Sequence, residues 1–161
     1  MTNVHYLLLA GRHQGPLDPV EIRRATNVFI GLDSSVNVRH DETVLTGFRI
    51  SHDETGNEFG EVVFGPDIYP GRSVVDPNSA LSLDSAAAHE LAHYYRWRDK
   101  RELPSGHEMT PLDEALTSLE AILRYEPQLK AQDIRMLVSD AVQRINIYVA
   151  QNERQNNATR R

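Results

Sequence analysis

Residues His89-Glu90-Leu91-Ala92-His93 carry the most specific chemistry in the chain. Histidines four positions apart on a helix stand about one turn apart on one face, so both imidazoles can reach one ion. Zinc accepts imidazole nitrogen at about 2.0–2.1 Å, and it lowers the pKa of a water it holds to about 7. Glu90 sits about 100° round the helix from His89. From there it can take a proton from that water without displacing either ligand. The pattern predicts a Zn²⁺ site with His89 and His93 as ligands and Glu90 as general base. The chain has no cysteine. That excludes a thiolate zinc site, an iron–sulfur cluster, a cysteine nucleophile and a disulfide scaffold, so any metal must be held by nitrogen and oxygen.

Catalytic zinc is usually held by three protein ligands. Candidates for the third are Asp99, His107, Asp113, Glu114 and Glu120. Asp99 would need a sharp turn after His93, and Arg96 rather than glycine occupies that turn. His107 lies beside Gly106 in a loop and could swing in. Residues 112–125 read as a helix. On its wheel Leu112, Ala115, Leu116, Leu119, Ile122 and Leu123 form a core stripe. Asp113, Thr117, Glu120 and Arg124 form a solvated charged stripe. Glu114 shares a third stripe with Ser118, Ala121 and Tyr125, where small side chains let another helix come close. A carboxylate there is costly to bury unless a cation meets it, which selects Glu114. Hydrolysis also needs a donor for the developing oxyanion. His107 is the first choice, and Tyr69, Tyr94 and Tyr125 are the other available types.

The pentad followed by Asp113-Glu114-Ala115-Leu116-Thr117-Ser118 resembles the gluzincin metallopeptidases, the thermolysin-like group, and the compact members called minigluzincins. The resemblance covers residues 82–125 only. It implies an α+β zincin-like fold, with a small twisted N-terminal sheet, an HExxH helix, a second metal-ligand helix and a long C-terminal helix. It also implies zinc on His89, His93 and Glu114, Glu90 as base, and a protein or peptide substrate. Ser118 stands where the family has an aspartate that orients a histidine. A serine holds an imidazole less firmly, so lower metal affinity or rate is expected. In the family an edge strand pairs with the extended substrate, and residues 59–64 are the expected strand for this role. Two other functions are open: a non-catalytic binding or regulatory module on the same scaffold, and a zinc hydrolase of a non-peptide bond.

These residues need elements to position them. The chain has 161 residues, 40% of them hydrophobic and 25% charged, with a net charge of -6. This fits one globular domain over residues 1–150 and a polar, frayed tail over 151–161. The acidic balance argues against nucleic acid as a partner. No leader and no apolar run of about 18 residues is present, so no membrane contact and a cytoplasmic location are expected. A short strand is expected at 4–9, and Asp18-Pro19 should open a helix whose apolar residues are Val20, Ile22, Ala25, Val28, Phe29 and Leu32. Alternation from 35 to 64, broken by Gly56-Asn57, predicts an antiparallel hairpin or meander. Ser82 or Asp84 should cap the HExxH helix, and Thr110-Pro111 should cap the next. A last helix should span 128–150, with Ile134, Leu137, Val138, Ala141, Ile145, Tyr148 and Val149 on one stripe.

Overall fold

The structure, a computed structural model, describes residues 12–71, 81–106 and 109–160. The strand expected at 4–9 and His107 lie outside these residues. The architecture is α+β. Helix α1 spans Pro19–Leu32, strands β1, β2 and β3 span Asn37–His40, Gly47–His52 and Glu58–Phe64, and helices α2, α3 and α4 span Leu83–Arg98, Thr110–Tyr125 and Ala131–Thr159. Among the described residues no helix is long and apolar enough to cross a membrane.

Helix α1 starts as its residues dictate. Asp18 accepts from the Glu21 N–H, Glu21 accepts from the Asp18 N–H, and Pro19 takes a position that needs no donor. Ala25, Phe29 and Leu32 are buried. Val20, expected on the same face, is 69% exposed. It lies in the first turn, beyond the reach of the core.

The sheet order is β1-β3-β2. β2 and β3 form the expected antiparallel hairpin, closed at Gly56 with φ of 84°, a left-handed conformation that suits glycine. β1 pairs parallel to β3, with Asn37 opposite Glu61. β3 is therefore the central strand and is buried from Gly60 to Phe64. This corrects the assignment of residues 59–64 as the substrate-facing edge, because both sides of β3 are already paired. The edge beside His89, His93 and Glu114 is β2, and Leu45, Thr46, Gly47 and Phe48 line the cleft there.

Helix α2 lies against this sheet so closely that a Cβ at Gly60 would stand 2.7 Å from Phe48 and 2.9 Å from Tyr94 and Trp97. Ser82 is the cap of α2, accepting from the Ser85 N–H and donating to Asp133 Oδ1 at 2.6 Å. Asp133 also accepts from the Lys130 N–H, so one carboxylate joins the starts of α2 and α4. At the far side, Tyr95 and Tyr125 both donate to Asp33, at the end of α1.

Four sequence expectations about α3 and α4 are revised. Thr110 is the first residue of α3, the cap position is Met109, and no side chain caps it. Asp113 accepts instead from Arg96 at 2.5 Å and the Leu103 N–H at 2.9 Å, which fastens the loop after α2. The buried face of α3 carries Ala115, Thr117, Ser118, Ala121 and Tyr125, while Leu119 is 38% and Leu123 81% exposed. Small residues win because α2 and α4 both pack on that side. Helix α4 continues past residue 150 to Thr159, so most of the polar tail is helical. On α4 Leu137 and Ala141 are buried, but Val138, Ile145 and Val149 of the expected stripe are exposed.

Gly65 closes the β3 end toward the cleft. A Cβ there would stand 2.0 Å from the Val44 backbone oxygen. The Gly65 N–H donates to Thr46 Oγ1, and Thr46 donates to Asp67 Oδ1 from both its N–H and its hydroxyl. Gly65→Ala is expected to push this cleft wall apart and to destabilise by about 1–3 kcal/mol, the usual range for overpacking. Thermal unfolding checks it, at about 2–4 °C for each kcal/mol in a chain of this size.

Candidate metal centre

Two helices build the site. His89 and His93 lie on one face of α2, and Glu114 comes from the second turn of α3. His89 Nε2 is 2.9 Å from Glu114 Oε2, and His93 Nε2 is 3.4 Å from Glu114 Oε1. One ligand atom from each of the three residues lies within 4.8 Å of the other two. Ligands placed tetrahedrally round zinc at the usual bond lengths are about 3.3–3.5 Å apart. The separations seen here fit that with small side-chain shifts. Two imidazole nitrogens and a carboxylate oxygen, with no thiolate, form a donor set suited to zinc.

Each other described candidate for third ligand is bound elsewhere. Asp99 pairs with Arg98, Arg101 and Arg124. Asp113 pairs with Arg96, and Glu120 pairs with Arg101 and Arg124. Of the oxyanion candidates, Tyr69 donates to the Glu21 carbonyl at 2.7 Å and Tyr125 to Asp33 at 3.3 Å. Tyr94 packs edge-on to Phe48 and tilted against Trp97. Tyr69 and Tyr125 therefore spend their hydroxyls away from His89, His93 and Glu114.

His89, His93 and Glu114 open on a cleft of about 480 Å³ that is also lined by Glu90, Leu45–Phe48, Arg12 and Arg144. Glu90 lines the cleft without belonging to the ligand group. Arg12 is buried and donates to the carbonyls of Asp67, Ile68 and Leu81, which ties the loop after β3 to the start of α2. Burial lowers its pKa to about 10 against the opposing pull of Asp67, Glu90 and Asp140.

Sequence reasoning missed Asp140 and Arg144, both on α4. His89 Nδ1 is 2.8 Å from Ser118 Oγ. Ser118 Oγ donates to Asp140 Oδ2 at 2.6 Å, and Arg144 Nε donates to the same oxygen at 2.8 Å. Arg144 also reaches within 3.8 Å of Glu114. The local signal for these residues was an i,i+4 acid–base pair on a helix with an apolar stripe. Such pairs are ordinary on solvated faces, so it did not point to a buried site.

Burial alone would push His93 down, but the charge and hydrogen bond of Glu114, with Glu90 and Asp113 behind it, hold its pKa up at about 9. Burial pushes Glu114 up, and His93 and His89 outweigh it, holding the carboxyl well below its ordinary range. Both shifts describe one attraction. Its stabilisation is full below the ordinary histidine value of about 6.5 and is lost as pH rises through the value of about 9. At the acid end it is lost as pH falls through the depressed Glu114 value.

Zinc can bind His93 only after that proton leaves. In a competition titration, apparent zinc affinity is expected to strengthen about ten-fold per pH unit as pH rises toward the His93 value of about 9, and to level above it. A flat profile would remove His93 from the ligand set.

No protein-family model, curated protein or solved structure matches this chain. The chemistry of the site is therefore read from its geometry.

Proposed function

We propose that this chain is a zinc-dependent peptidase with a zincin-like arrangement. The observation that carries the reading is the convergence of His89, His93 and Glu114 at the floor of a cleft that Glu90 also lines. The three residues would hold the ion, which when bound supplies Lewis acidity to the scissile carbonyl and to the attacking water. Glu90 takes the water's proton on its carboxylate and delivers it to the nitrogen of the leaving amine. One water is consumed, the C–N bond breaks, and a carboxylate and an amine remain.

The sheet supplies the binding surface. β2 is paired with β3 on one side only among the described residues. Its approach, Leu45–Phe48, lines the cleft. An extended peptide can lie along that edge, with main-chain hydrogen bonds giving affinity. Arg144 lines the same cleft beside Glu114, where its positive charge can stabilise a developing oxyanion.

The test is zinc-dependent peptide hydrolysis. Purified protein should contain about one zinc per chain by mass or absorption spectroscopy, as one three-ligand site requires. Cleavage of a peptide library should stop with a chelator and resume with added zinc. A protein that neither retains nor takes up zinc, or a loaded protein that cleaves no peptide, contradicts the reading.

A further inference from the structure

The relay behind His89 decides which nitrogen that histidine offers. Ser118 has one hydroxyl proton, and it goes to Asp140 Oδ2. Toward His89 Nδ1, 2.8 Å away, the serine oxygen can then only accept. Nδ1 must therefore carry a proton, and Nε2 is left to face Glu114 Oε2 at 2.9 Å. That 2.9 Å contact is a hydrogen bond when Nε2 carries a proton, and an ion bound between the two atoms would take that proton's place. Asp140 is 1% exposed, and the Nε–H of Arg144 lands on the same Oδ2 oxygen. The carboxylate is thus locked from two sides before any ligand arrives.

We propose that Asp140, acting through Ser118, is the positioning residue that makes His89 a metal ligand. It comes from α4, a third helix that contributes no ligand of its own. On this reading the lower affinity expected from Ser118 is offset, because a carboxylate stands one hydrogen bond behind it. The same oxygen orients Arg144 beside Glu114, so one buried group sets both the imidazole and the cleft cation. This inference rests on the metal-binding part of the reading above and not on peptide hydrolysis.

The experiment measures zinc affinity by chelator competition for the full chain, with Ser118→Ala, Asp140→Asn, the double variant and Ser118→Thr. Removing such a partner of a ligating histidine typically lowers metal affinity about 10–100-fold. Each single variant is expected to show a loss in that range. The double variant should lose no more than the worse single, since both interrupt one chain of hydrogen bonds. Ser118→Thr keeps the hydroxyl and should restore most of the affinity. In the cobalt(II)-loaded protein the visible absorption bands should move in Ser118→Ala and stay in place in Ser118→Thr. A merely structural role would leave those bands unmoved.

Wild-type-like zinc affinity in folded Ser118→Ala, or losses that multiply in the double variant, would overturn the proposal. If Asp140→Asn does not fold, the Ser118→Ala and Ser118→Thr pair carries the test alone. A wild-type chain that binds zinc but cleaves nothing contradicts the peptidase reading and leaves the relay to be judged by these affinities. A chain that cleaves peptides while Ser118→Ala binds zinc unchanged contradicts only the relay.

Discussion

Glu90→Gln is expected to lower peptide hydrolysis by about 10²–10⁴-fold, the usual contribution of a positioned general base. Zinc content should not change. Glutamine is nearly isosteric and remains polar, so neither the helix nor the cleft wall is disturbed. What is lost is the ability to accept a proton and return it. Glu90 lines the cleft but is outside the group His89, His93 and Glu114, so its replacement removes no ligand. The measurement is kcat/KM on one cleaved peptide, paired with zinc analysis of the same preparation. Full activity in zinc-loaded Glu90→Gln would show that another group handles the proton. Loss of activity with loss of zinc would mean that Glu90 holds metal. The non-catalytic binding alternative makes the opposite forecast, since there Glu90→Gln should leave partner binding and every cellular effect intact.

Glu114→Ala is the second large effect, and it acts on the ion itself. A fully built structural zinc site with four ligands gives about 10–16 kcal/mol, or about 3 kcal/mol per ligand. Losing one ligand of three should weaken zinc affinity at least about 100-fold. The same substitution removes the largest upward pull on His93, whose pKa stands at about 9 with Glu114 in place. Burial then meets less opposition, and the His93 titration should move down in an NMR pH series. The imidazole gives up its proton in a lower pH range, so its share of stabilisation is lost earlier as pH rises. A variant with unchanged zinc affinity would show that the third ligand lies elsewhere. An unmoved His93 titration would show that the 3.4 Å contact between the two residues does not govern its charge.

The two predictions separate the roles of neighbouring carboxylates. Glu90 should change rate without changing zinc content, and Glu114 should change zinc content first and rate as a consequence. Asp140, farther back, is expected to change affinity by way of His89.

Residues whose roles depend on helical spacing were readable in advance. His89 and His93 share a face because of the helix repeat, and no tertiary contact is needed to know it. Asp18, Pro19 and Glu21 mark the start of α1 through bonds that span only three residues. The hairpin was legible because Gly56 sits in a short polar turn between two alternating segments. Glu114 was selected because a carboxylate on a stripe of small residues needs a cation, and it stands against both imidazoles.

Where prediction failed, the missing knowledge was which neighbour arrives at a face. The wheel of α3 ranked Leu119 and Leu123 as core by hydrophobicity, yet both are exposed. Ala115, Ser118 and Ala121 are buried there, since their short side chains let α2 and α4 approach. The central position of β3 was hidden for a similar reason. β1 passes over its sequence neighbour β2 and pairs with β3 instead. Nothing within one strand records which strand will lie beside it.

Read alone, the order of residues marks the helix bearing the two histidines, the acid beside them, the lack of thiolate chemistry and Glu114 as the candidate third ligand. Each follows from residue type and a spacing of a few positions, which local geometry converts directly into direction. Packing between distant elements brings β2 to the cleft, links Asp140 to His89 through Ser118, and stands Arg144 beside Glu114. Those contacts join residues more than twenty positions apart, as with Ser118 and Asp140 at a separation of 22. Their formation depends on how whole helices pack, and that is set by the shape of every surface in contact rather than by any local run of residues.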